Sequence, residues 1–293
     1  MEVNLFGHGF IGSNYNKKYL SIVNSKNDLQ PVSECSDVLY TISTIDNYNI
    51  FNNLYVDVDT NLTHLLRVLE QFKIMQDKYQ HTRTFNFVSS WFVYGDVELP
   101  ATEESYCNPK GFYSITKRTA EQLLISFCET FNLQYRIFRL ANVVGYDDTK
   151  ISKKKNALCY LLDKIKTNMV VELYEEGNFF RDYIEVTDAV NAINLLMKNS
   201  KPNQIYNISN GDKVLFKSLI DHARRCCGSK SKIVNIKTPK FHEVVQVKNM
   251  VLDNSKLKSY GYEKKVDIYD YVRKYVRNET EWTGEKNGCK NFY

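Results

Sequence analysis

Tyr113-Ser114-Ile115-Thr116-Lys117 sets a phenol and an ammonium four residues apart, at the head of a stretch whose apolar residues recur at helical spacing. About one helical turn separates such a pair, so both side chains leave the same face. A phenol with an ordinary pKa near 10 accepts protons poorly at neutral pH, and an adjacent ammonium stabilises its phenolate. The same spacing occurs on exposed helices with no chemistry attached, so it needs company. Ser89-Ser90-Trp91-Phe92-Val93-Tyr94-Gly95 follows directly on an apolar run at 85–88. A hydroxyl at the carboxyl end of a strand stands where a doubly wound sheet presents its ligand. Gly7-His8-Gly9-Phe10-Ile11-Gly12 follows another apolar run at 3–6 and opens a helix. Glycines so spaced let backbone close on a pyrophosphate at the positive end of that helix; alone, they could equally make a tight turn. In this order, the three signals reinforce one another.

The elements that must position these residues read as alternating strands and helices. Short apolar runs at 3–6, 20–23, 38–42, 85–88 and 135–140 predict strands. Leu62, Leu65, Leu66, Leu69 and Phe72 predict a helix behind a cap at Asp59 or Thr60, and residues 115–131 predict a long amphipathic one. Thr187 or Asp188 is expected to cap a further helix carrying Val190, Ile193, Leu196 and Met197. The fold class is therefore α/β: a doubly wound parallel (Rossmann) sheet with a smaller C-terminal α/β lobe. Residues 1–144 are expected to form the dinucleotide domain, with a segment near 181–200 returning to it. Residues 145–293 would mainly build the substrate lobe, with a polar loop at 147–156 and a fraying tail past Arg277.

Composition narrows the function. The 293 residues are 43% apolar and 25% charged, ordinary values for a folded chain. Net charge is +5, and Lys153, Lys154 and Lys155 make the only tight basic cluster. That is too thin for nucleic acid and compatible with an anionic small substrate. Seven cysteines include no C-x-x-C pair, and no spacing suits a metal. No run of about 18 apolar residues predicts a membrane span. A cytoplasmic, reduced protein is expected, with no metal and no membrane partner.

Dinucleotide sites commonly hold the adenosine ribose with an acidic residue about 20 positions after the glycines. Here that place reads Asn24-Ser25-Lys26. These side chains could accept a 2′-phosphate, or Lys26 could be a solvated turn lysine, so NAD and NADP both stay open. A shift of about three units in the Tyr113 pKa asks for roughly 4 kcal/mol. Lysine, ribose hydroxyls and a positive nicotinamide together could supply it.

With these motifs the chain resembles the nucleoside-diphosphate-sugar epimerase/dehydratase family, the extended short-chain dehydrogenases, over nearly its whole length. The resemblance extends to residues 37–44, ending Ile42-Ser43-Thr44, and to 61–70 and 108–121. It also covers Arg139-Leu140-Ala141-Asn142-Val143-Val144-Gly145, Arg181-Asp182-Tyr183-Ile184-Glu185-Val186-Thr187-Asp188, and 253–261. It implies Tyr113 as acid/base, Lys117 as its partner on the nicotinamide ribose, and Ser90 as donor to the sugar oxygen. It implies Gly7, Gly9, Phe10, Ile11, Gly12, Ile42 and Ser43 beside NAD or NADP. Trp91, Phe92, Asn142 and Arg181 would face the substrate, the last two near its diphosphate. Arg181 could instead pair with Asp182 or Asp188, although its fork suits phosphate.

Two departures refine this expectation. Phe6 fills the first glycine position of the family's G-x-x-G-x-x-G. Trp91 and Phe92 occupy places where the family's sugar 4,6-dehydratases carry acids, and Trp91 the place where fucose-type epimerase/reductases keep a cysteine. A 4,6-dehydratase is not expected, and Cys107 is read as structural. Three readings remain: a 4-epimerase of a nucleoside-diphosphate sugar, a 4-keto-sugar reductase, and a non-catalytic NAD(P)-binding scaffold or sensor. Paired helices at 61–76 and 113–131 are expected to make a homodimer.

Overall fold

Strand β1 (Val3–Phe6) is buried at all four positions and leads into α1 (Phe10–Lys18), β2 (Ser21–Asn24) and β3 (Asp37–Tyr40). The computed structural model describes residues 2–24, 37–45, 47–79, 82–148 and 157–279. After β3 come α2 (Val56–Val58), a π-helical turn at Asp59–Thr63, and α3 (His64–Tyr79). Strand β4 (Thr84–Ser90), α4 (Phe112–Thr130) and β5 (Gln134–Leu140) follow. The chain then runs through β6 (Asn142–Val144), α5 (Ala157–Lys166), β7 (Val171–Tyr174), β8 (Phe180–Arg181), β9 (Tyr183–Glu185), α6 (Val186–Asn199) and β10 (Gln204–Ile208). It continues with β11 (Val214–Leu215), α7 (Phe216–Cys227), β12 (Ile233–Ile236), α8 (Lys240–Val245), α9 (Ser255–Lys258) and α10 (Ile268–Arg277).

Six strands form the main sheet in the order β2-β1-β3-β4-β5-β10, every pair parallel. The chain winds one way from β1 to β2 and the other way from β3 onward, so the switch point lies between β1 and β3. The fold is thus the doubly wound α/β sheet. Both faces are covered, which is why β4 reads as a continuous buried run rather than an alternating one. One face packs α6 against Leu5, Phe138 and Tyr206, and the other packs α3 and α4 against Tyr40, Phe85 and Ile137. A separate core gathers α5, α7 and α10 around Leu173 and Tyr183.

Two caps differ from expectation. The helical stretch that leads into α3 begins with α2 at Val56, and Asp59 and Thr60 lie within it, in the π turn between α2 and α3. Helix α6 is capped by Glu185, whose carboxylate accepts the Thr187 N–H at 2.6 Å. Asp188 instead accepts the Lys265 and Val266 N–H groups and ties α6 to the chain before α10. Ser25, Lys26, the cluster Lys153 to Lys155 and the tail beyond residue 279 lie outside the described residues. Among the described residues no helix is long and apolar enough to cross a membrane.

Candidate active site

The site is assembled where β4 ends. Ser90 caps the 3-10 turn Trp91–Val93, its hydroxyl accepting the Phe92 N–H at 3.3 Å. The chain then folds back at Gly95, whose φ of +68° and closeness to the Asn108 carbonyl (1.9 Å from any added Cβ) demand glycine. The return brings in α4, with Tyr113 in its first turn and Lys117 one turn on. The Ser90 and Ser43 hydroxyls both approach the Tyr113 phenol and favour its phenolate. Burial outweighs them, and the Tyr113 pKa lies above the ordinary value.

Lys117 is 1% exposed. Its ammonium donates to the Val88 carbonyl at 2.7 Å and lies 4.1 Å from the Phe87 ring centre. Burial lowers its pKa to about 7, against the pull of Glu121 one turn further along α4. The hydrogen bond that Lys117 makes in the structure is thus to main chain of β4. Glu121 is itself buried, yet two hydrogen bonds from Arg139 (3.0 and 2.8 Å), one from Ser89 (2.6 Å) and one from Arg118 hold its carboxyl below the usual range. Such a network anchors the middle of the chemistry-bearing helix to β4 and β5.

One residue at the site escaped the reading of the sequence. Asn61, in the π turn, accepts hydrogen bonds from Ser43 (3.2 Å) and the Thr44 N–H (2.9 Å) through Oδ1. Its amide donates to Thr116 in α4 and to the Thr44 hydroxyl, both at 2.9 Å. It thereby ties the segment after β3 to the helix of Tyr113. It is buried within the π turn, and nothing in the local sequence announces that register.

On the other side of Tyr113 the glycine turn forms a cradle. Gly7 has φ +107°, and a Cβ there would meet the Thr41 hydroxyl at 2.6 Å. A Cβ on Gly12 would meet the Gly7 carbonyl at 2.0 Å, so α1 starts directly against the turn. Gly9, by contrast, faces open space and leaves the head of α1 without a side-chain cap. That is the geometry a pyrophosphate needs: close backbone, unfilled volume and N–H donors at a helix end. Phe6 in place of a glycine is fully buried in β1 and does not enter the turn. Ile42 and Ser43 close the adjacent β3 end, Ile11 packs on the core, and the Asn24 carbonyl accepts the Gly7 N–H at 2.7 Å.

A cavity of about 670 Å³ opens beside Tyr113, lined by Phe10, Trp91, Phe92, Asn142 and Arg181 among others. Arg181 donates to the carbonyls of Phe180 (2.9 Å), Val247 (3.0 Å) and Lys248, and its guanidinium lies against Trp91 and Phe179. Neither Asp182 nor Asp188 pairs with it: Asp182 accepts the Gly211 and Leu252 N–H groups instead. Burial lowers the Arg181 pKa to about 10 and raises that of Asp182 to about 7. Asn142 lines the cavity but spends its amide on the Asp182 carbonyl at 2.9 Å. Cys107 lies in a different cleft, beside Arg118 and Arg139.

The family model described as the NAD dependent epimerase/dehydratase family matches residues 24–209, more than half of the chain. The chain belongs to that family. As a member of the NAD dependent epimerase/dehydratase family it takes NAD or NADP as cofactor, and its glycine cradle fits the pyrophosphate of either. A relative in Methanocaldococcus jannaschii, named "Putative UDP-glucose 4-epimerase", is 27% identical over 241 residues, covering 82% of this chain and 75% of the relative. The Thermotoga maritima UDP-glucose 4-epimerase structure with UDP-glucose superposes with a TM-score of 0.80 at 23% identity, covering 96% of this chain and all of that one. The Pseudomonas aeruginosa RMD structure with NADPH superposes with a TM-score of 0.74 at 18% identity, over 94% and 98%. At these identities the structural likenesses speak for the fold.

Proposed function

We propose that the protein is a nucleoside-diphosphate-sugar 4-epimerase. The observation that carries this reading is Tyr113, approached by the Ser90 and Ser43 hydroxyls, beside a cavity that also holds Arg181 with no carboxylate partner among the described residues. Tyr113 takes the proton of the sugar 4-hydroxyl and returns it, while Ser90 donates to the same oxygen. Lys117 serves a ribose hydroxyl of the dinucleotide and adds positive charge beneath the phenolate. Gly7, Gly9, Phe10, Ile11, Gly12, Asn24, Ile42 and Ser43 would hold the cofactor. Bound there, it supplies the hydride acceptor and donor for carbon 4. Arg181 matches the charge of the substrate diphosphate, with Asn142 beside it.

Trp91 and Phe92 can neither give nor take a proton, which argues against the 4,6-dehydration performed elsewhere in the family. The names of the relatives support chemistry at carbon 4. The test incubates purified protein with UDP-, dTDP- and GDP-hexoses and follows the carbon 4 epimers by proton NMR. Interconversion without net change in cofactor redox state is expected. Stoichiometric use of NADPH on a 4-keto sugar, with no epimer formed, would replace the reading by a reductase; cofactor binding without either reaction would leave a scaffold.

A further inference from the structure

Asp57 lies in α2, is 1% exposed, and has no part in the chemistry described so far. Its Oδ1 accepts the Thr44 hydroxyl and, at 3.1 Å, the Asn49 side-chain amide. Thr44 Oγ1 accepts the Asn61 amide at 2.9 Å, and Asn61 Oδ1 accepts the Ser43 hydroxyl at 3.2 Å. Ser43 is one of the two hydroxyls that approach the Tyr113 phenol. A series of side-chain hydrogen bonds thus joins Tyr113 to a buried carboxylate.

The direction of each bond follows from which groups can give a proton. A carboxylate only accepts, so Thr44 gives Asp57 its single hydroxyl proton and accepts from Asn61. That turns the amide nitrogen of Asn61 to Thr44 and its oxygen to Ser43. The amide oxygen only accepts, so Ser43 spends its single proton on Asn61, away from Tyr113. A Ser43 free to turn would give that proton to the phenolate. Held by the series, it offers lone pairs instead, which suit the protonated phenol. The Asp57 charge acts in the same sense directly, because a negative charge close by disfavours a second.

We infer that Asp57 is a positioning residue for proton transfer at Tyr113: through Thr44 and Asn61 it turns the Ser43 hydroxyl to accept from the phenol, and so keeps the proton on Tyr113, ready to be returned to the sugar. The inference takes from the function proposed above only that Tyr113 exchanges a proton with the substrate. The other charged groups about Tyr113 are Lys117, bonded to the Val88 carbonyl, and the cavity residues Asp96 with Lys110, Asp148, Arg181 and His242. Substitution at position 57 leaves all of these in place.

The experiment uses the full chain with NAD bound and follows Tyr113 in two ways. One is the pH dependence of kcat/KM; the other is a tyrosinate absorbance titration, read as the difference from Tyr113→Phe, which needs no substrate. Asp57→Asn keeps the size of the side chain and an acceptor oxygen but removes the charge. Its phenolate should form about one pH unit lower than in wild type, and the acidic limb of kcat/KM should move down with it. Thr44→Val cuts the series while leaving the charge, and should move both midpoints in the same direction. Midpoints unmoved in Asp57→Asn, with rates lowered equally at every pH, overturn the inference and assign Asp57 to the fold. A shift in Asp57→Asn with none in Thr44→Val also overturns it, since the charge would then act without the series. Shifts in the absorbance titration of both variants, without turnover of any nucleoside-diphosphate sugar, would uphold the arrangement around Tyr113 and overturn the proposed function instead.

Discussion

Lys117 Nζ donates to the Val88 carbonyl oxygen at 2.7 Å, so the ammonium is tied to the strand that carries Ser90. A buried cation with a single main-chain acceptor costs stability, and its pKa of about 7 expresses that cost. Because the folded value lies below the unfolded one, near 10.4, the unfolded chain holds the extra proton between the two. Stability contributed through Lys117 therefore rises with pH across this window. Lys117→Met should be more stable than wild type at pH 6, and the difference should shrink toward pH 10. Urea unfolding of both proteins at the two pH values checks this; an advantage that grows with pH would contradict it. Turnover should be lost in the variant.

Tyr113→Phe keeps the ring that packs on Phe92 and removes only the hydroxyl met by Ser90 and Ser43. The expected outcome is an unchanged melting temperature and cofactor affinity, with turnover lowered by at least about a hundredfold. Near wild-type rates would take Tyr113 out of the mechanism.

Arg181 rests on carbonyls and aromatic faces, with no carboxylate partner among the described residues. Arg181→Met should raise KM for the nucleotide sugar by about tenfold or more, change kcat less, and leave stability unharmed. A large loss of stability with unchanged KM would assign the residue to the fold instead.

Asn24 closes β2 beside the glycine turn, where a carboxylate would repel a 2′-phosphate. NADP(H) is expected to bind at least as tightly as NAD(H), and any advantage resting on exposed charge to fade with salt. Asn24→Asp should move the ratio of dissociation constants toward NAD(H) by about tenfold, a like-charge effect of about 1.4 kcal/mol. Titrations of both dinucleotides at low and high salt measure it. A tenfold NAD(H) preference in the wild type would sink the expectation.

Helices α3 and α4 expose Leu66, Ile74, Phe112 and Ile115, and Phe131 at the end of α4 is exposed as well. A homodimer that buries these faces is expected at micromolar concentration, and Ile115→Glu should drive it to monomer. Sedimentation velocity decides between the two states.

The fold class and the main catalytic candidates were legible because local rules write them into the chain. Gly7 and Gly12 are required by a positive φ and a backbone approach of one short turn. Tyr113 and Lys117 share a face through helical spacing alone, and the buried run of β4 announces the strand that ends at Ser90. What the tertiary structure alone decided is where side chains point once distant segments pack. It turned Lys117 toward Val88, freed Arg181 by giving Asp182 to Gly211 and Leu252, and brought Asn61 against Thr116. These partners lie 29, 29, 70 and 55 residues apart in the chain. Periodicity reports only which face of an element is apolar. Which hydrogen-bonding groups meet across such distances depends on the packing of the two faces of the sheet, and no local pattern carries that information.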